Sequence, residues 1–134
     1  MNLEKLKRYS PILLRTAIAI VFLWFGFSQL KDPSSWTGML PEFAKSLSIS
    51  PTTLIYISGS FEVILSIFLL LGIYTRISSF LLGLHLIDII TIVGYGPIGV
   101  RDFALALATF SIVLMGPDEF CLETIIRKKY HKNL

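Results

Sequence analysis

Apolar residues run almost unbroken through four stretches of the chain, residues 12–30, 52–72, 77–95 and 99–115, and polar residues gather between them. Spanning a bilayer core takes about 20 residues of helix, with a usable range of about 17–25. The pattern therefore predicts four transmembrane helices, the last barely long enough. Two connections are short, "GIYTR" after the second stretch and "GYGPIG" after the third. Short links make sequential helices antiparallel neighbours, so the expected fold is all-α, an integral membrane up-down four-helix bundle. The first connection is longer, and within it Leu40, Phe43, Ala44 and Leu47 follow i, i+3, i+4, i+7 spacing. That spacing fits a short interfacial helix lying over the bundle as a lid; a plain loop anchored at the headgroup level by Trp36 is the alternative. Ser50 before Pro51 reads as an N-cap with proline at the first helical position.

Polar residues inside the stretches are not scattered. Arg15, Ala19, Phe22, Gly26 and Gln29 step by four and three along the first; Ser58, Glu62 and Ser66 share a face with Gly59 on the second. Ser78, His85, Asp88 and Tyr95 fall on one stripe of the third, with His85 and Asp88 close enough in sequence to touch, and Arg101, Ala104, Ala108 and Ser111 on one stripe of the fourth. Lipid would reject each stripe, so the four are expected to converge on the bundle axis, with Glu62, His85 and Asp88 near the midplane. Small and polar residues also serve plain helix packing, which accounts for Gly26, Gly59, Ala104, Ala108 and the serines. An ionisable group at mid-depth is different, because it costs several kcal/mol unless paired, wet or neutralised. Glu62 is expected to be neutralised by Arg101 or Arg15, or to carry a proton.

Composition agrees with a membrane chain: 54% of the 134 residues are hydrophobic and 16% charged, against about a quarter charged in soluble domains. The length allows one domain, residues 1–134, ending in a basic tail over 116–134. A formal net charge of +3 is too small to point to nucleic acid. With both termini in the cytoplasm, nine lysines and arginines fall on that side and Lys31, Lys45 and Arg101 on the other, so the expected topology is N-in, C-in in the plasma membrane. A signal peptide is a poorer reading of the first stretch, which is long for an h-region and has no A-x-A-like site after it. Cys121 is the single cysteine and rules out an internal disulfide; its environment reads as that of an inert thiol near a helix end. No metal site or flavin motif is evident.

The stretches "LLRTAIAIVFLWFGFSQLKDP", with Arg15, Gly26 and Lys31, and "GSFEVILSIFLLLGIYTR", with Glu62 and the Gly72 to Arg76 turn, resemble the DoxX family of small four-helix membrane proteins. "GVRDFALALA" and "MGPDEFCLE" extend the likeness, although Asp102 stands where the family often has asparagine and the closing stretch is less glycine-rich. The resemblance implies kinship with a group that includes the membrane subunit of thiosulfate:quinone oxidoreductase, and with members that sit beside thiol or oxidative-stress proteins.

Two functions fit. In one, the chain is a redox subunit coupling a small sulfur or thiol substrate to quinone. Glu62, His85 and Asp88 then provide the proton chemistry, and Arg101, Arg15, Gln29, Tyr95 and Asp102 bind substrate. Electrons would come from a second membrane or peripheral subunit or from the substrate. In the other, it is a non-catalytic scaffold or a small-molecule or lipid-binding subunit. Gly83 and other small residues on the outer faces would suit a homodimer.

Overall fold

The computed structural model describes residues 3–132. Residues 1, 2, 133 and 134, the ends of the expected single domain and of its basic tail, lie outside the described residues. A short α1 (Leu3–Lys7) precedes α2 (Ser10–Lys31). A 3-10 helix (Pro33–Met39) and a single turn, α3 (Glu42–Lys45), lead to α4 (Pro51–Leu71). Then come α5 (Thr75–Val93), α6 (Pro97–Met115) and α7 (Leu122–Lys132). The helices α2, α4, α5 and α6 are long and apolar enough to cross a membrane. At a rise of about 1.5 Å per residue they measure about 28–33 Å, which matches a hydrocarbon core of about 30 Å.

The fourth span is as long as the third, not marginal, because Pro97 sits in the first turn, where a missing N–H costs nothing, and the helix runs on through Gly99. Ser50 and Pro51 start α4 as expected, but the Ser50 hydroxyl makes no capping bond; it pairs with the Thr52 hydroxyl at 2.8 Å. The helical turn of the long connection is confined to Glu42–Lys45, and of its apolar set only Ala44 is buried.

The bundle is built of two close pairs, α2 with α4 and α5 with α6, which touch each other less extensively. Glycine sets the first pair. A Cβ on Gly26 would lie 2.7 Å from Val63 Cγ2 and 2.9 Å from the Gly59 carbonyl, and one on Gly59 would lie 3.0 Å from Gln29 Cβ. Two bare backbones can thus approach closely. In the second pair Gly83 is buried against the Phe110 ring, 2.9 Å from where a Cβ would stand. Gly83 is therefore spent inside the bundle and offers no outer face for a dimer. Ile18, Phe22, Leu65, Leu69, Leu82, Leu86 and Ile112 form the apolar core.

The end of the bundle at the α4–α5 turn is closed by a buried ion pair. Arg15 donates to Asp118 at 2.7 Å and to the Leu69 and Leu70 carbonyls at 2.7 and 2.6 Å, joining the Gly72 N–H at the first and satisfying the second, at the end of α4 where carbonyls lack helical partners. Gly72 ends α4 in the left-handed region, φ 71°, which suits glycine, and a Cβ there would collide with Cys121. Glu123 completes the joint by accepting from the Thr75 backbone N–H at 3.1 Å, while its own N–H donates to the Gly72 carbonyl. Cys121 is fully buried here, and burial raises its thiol pKa despite a hydrogen bond from Thr75 and the nearby Arg15 charge.

Candidate functional site

At the other end, between the two helix pairs and beneath the long connection, lies a cavity of about 750 Å³. Its walls are mostly apolar and aromatic. They include Phe22, Phe25, Trp36, Phe43 and Phe61. Such a volume is in the range of about 300–1,000 Å³ typical of small-molecule sites.

The polar floor comes from three helices. Glu62, in the middle of α4, is 2% exposed. Its Oε1 accepts from His85 Nε2 on α5 at 2.8 Å and from Gln29 Nε2 on α2 at 3.0 Å. The Gly26–Gly59 contact brings Gln29 within reach, since Gln29 and Glu62 each lie three residues past a glycine of that contact. His85 is partly exposed to the cavity, with the Ser58 hydroxyl at 3.4 Å from the same nitrogen and the Phe61 ring edge-on at 5.5 Å. Glu62 Oε2 and Gln29 Oε1 are buried and have no partner among the described residues. A buried polar atom left unmatched costs about 1–3 kcal/mol, so two adjacent ones call for an explanation.

Arg101 and Asp102 form the wall near the start of α6. Arg101 Nε donates to Asp102 Oδ1 at 2.8 Å, and its guanidinium covers the Phe25 ring at 5.3 Å from the centroid. Asp102 is buried and Arg101 exposed, so the inward face of α6 is Gly99, Asp102, Ala106 and Thr109 and not the stripe through Arg101, Ala104, Ala108 and Ser111. Adjacent residues point about 100° apart on a helix turning once in about 3.6 residues. The longer side chain reaches back from outside, and the shorter one is taken in.

Of the expected site residues, Glu62, His85, Asp88, Gln29, Arg101 and Asp102 all line this cavity. Asp88 does so with an exposed carboxylate that makes no hydrogen bond or ion pair among the described residues. His85 turns to Glu62, not to Asp88. Arg15 and Tyr95 do not belong. Arg15 is committed to Asp118 at the opposite end, and Tyr95 follows the end of α5 and is fully exposed. Neither cation bonds to Glu62, because Arg15 pairs with Asp118 at the opposite end and Arg101 with Asp102; its hydrogen-bond partners are an imidazole and an amide.

A family model, DoxX, matches residues 10–95, well over half of the chain. The chain belongs to the DoxX family. The match covers α2, the long connection, α4 and α5, so Gln29, Glu62 and His85 stand within the part of the chain that marks it as DoxX, while Arg101 and Asp102 lie beyond it. No curated protein and no solved structure matches the chain. Sequence reading singled out Phe22, Trp36 and Phe43 of the aromatic walls but passed over Phe25, Phe61 and Asp118. Phe25 sits four residues before Gln29 and was visible by spacing; Asp118 lies 103 residues from Arg15 and was not.

Proposed function

We propose that this DoxX-family protein is a subunit of a membrane redox system, coupling a small sulfur or thiol substrate to quinone, with the headgroup held in the cavity above Glu62. The buried Glu62–His85–Gln29 cluster, placed at the floor of an apolar-walled cavity with an acceptor oxygen left unmatched, carries this reading. A quinone takes up protons together with electrons, so its site needs groups that hold and pass a proton. Glu62 and His85, joined through Oε1 and Nε2, form such a pair, and Asp88 extends the polar path toward the cavity mouth. The aromatic walls exclude water and hold a flat ring, and Arg101 polarises an oxygen at the lid end. The electrons come from the sulfur compound or from a partner subunit bound at the membrane.

The chain is placed in the plasma membrane with both termini cytoplasmic, on the support of the lysine and arginine bias and of an even number of candidate spans. The test is purification in mild detergent from the native membrane, followed by mass spectrometry of the lipids and proteins that accompany the chain. A stoichiometric quinone that disappears in His85→Ala is the expected result. A constant protein partner or another lipid, with no quinone, would make the chain a scaffold or lipid-binding subunit instead.

A further inference from the structure

The two unmatched atoms at the cavity floor are of one kind. Gln29 gives one of its two amide N–H groups to Glu62 Oε1, and its buried oxygen has no donor among the described residues. His85 spends its Nε2 on the same Oε1, which leaves Glu62 Oε2 without a donor. The residues concerned are 5% and 2% exposed, so bulk water does not compensate them. Toward an ionised Glu62, whatever settles there has to bring hydrogen, not lone pairs. A quinone carbonyl brings lone pairs and would face two acceptors. A hydroquinone brings an O–H group, and its oxygen then lies between the acidic floor and the aromatic walls.

Resting on the quinone reading above, we propose that the site is matched to the reduced, hydroxyl-bearing form of the headgroup, whose O–H donates to Glu62 Oε2 or Gln29 Oε1. The binding preference is for the product of quinone reduction over its oxidised form. Holding a carbonyl at the same place would require a donor on the Oε2 side of residue 62. Glu62→Gln supplies one, because its amide nitrogen can take the Oε2 position while its oxygen still accepts from His85 and Gln29.

The experiment uses the full chain in phosphatidylcholine nanodiscs under argon, titrated calorimetrically with a benzoquinone bearing one isoprenoid unit and, separately, with the corresponding hydroquinone. The hydroquinone is expected to bind at least about tenfold more tightly to the wild type, the difference one hydrogen bond to a charged group makes. In Glu62→Gln that preference is expected to shrink or reverse, with the thermal melt checking that the variant is folded. Equal or tighter binding of the quinone by the wild type would overturn the inference and leave the quinone site standing. A preference unchanged in Glu62→Gln would overturn the role given to Glu62 Oε2. Binding of neither form would remove the quinone reading itself.

Discussion

Glu62 shows how much a single residue can announce and how much it leaves open. Its place amid apolar neighbours marks it as a residue needing partners, but only the fold names them as His85 and Gln29. Replacement by leucine would remove the acceptor of the buried Gln29 amide, at a cost of about 1–3 kcal/mol, and the main partner of the partly exposed His85 ring nitrogen. Glutamine keeps an acceptor in place. Thermal melts in detergent should therefore rank Glu62→Leu well below Glu62→Gln; equal midpoints would mean that these bonds do not stabilise the bundle. Asp118 permits a prediction in pH. Burial works to raise its pKa, but the hydrogen bonds from Arg15 and the Phe120 N–H and the Arg15 charge outweigh it, holding the carboxyl below its usual range. A folded pKa below the unfolded value means a contribution fully present above about pH 3.9 and lost as pH falls through the folded value. Asp118→Asn lacks this titration. Its deficit in melting temperature against the wild type should be constant near neutrality and narrow in strong acid, and a deficit that stays constant on acidification would show that the pair is not the source.

Helices pair through surfaces, and here glycine decides the surface that matters most. Gly26 and Gly59 put α2 against α4 closely enough for Gln29 to reach Glu62. In Gly26→Ala the new methyl would stand 2.7 Å from Val63 Cγ2 and 2.9 Å from the Gly59 carbonyl, and a carbonyl does not yield as a side-chain tip does. The helices should move apart, with a loss of about 1–3 kcal/mol. The same variant should lose headgroup binding more than Gly83→Ala, which presses on the Phe110 ring within the other pair. Comparable loss in both would mean that the α2–α4 crossing does not set the site. Polar stripes on α2 and α4 were legible by spacing alone, because both contain small residues at regular steps. The stripe on α6 was misread by one residue, since Arg101 and Asp102 are neighbours in sequence and nothing local tells which of them faces inward.

Across the whole molecule, the two ends of the bundle carry different chemistry. One end is sealed by Arg15, Asp118 and the Gly72–Cys121 contact; the other opens into the cavity under the long connection. In the proposed topology, with both termini cytoplasmic, the cavity would lie toward the outer face. Protease added to sealed right-side-out vesicles should spare epitope tags at both ends of the chain, and both should be digested once the membrane is permeabilised. Cleavage of either tag in sealed vesicles would reverse the topology or break the even count of spans.

Membrane class, four spans, their approximate limits and the polar faces of α2 and α4 were determined by the sequence alone. These properties depend on runs of apolar residues and on helical spacing, which act over one or two turns and need no knowledge of neighbours. Tertiary structure alone decided that Glu62 is held by an imidazole and an amide, that Arg15 serves the fold through a partner 103 residues away, and that Asp102 faces inward in place of Arg101. Such pairings depend on the rotation and depth of one helix against another. Close contacts such as Gly26 on Gly59 fix those quantities between segments, where local periodicity carries no information.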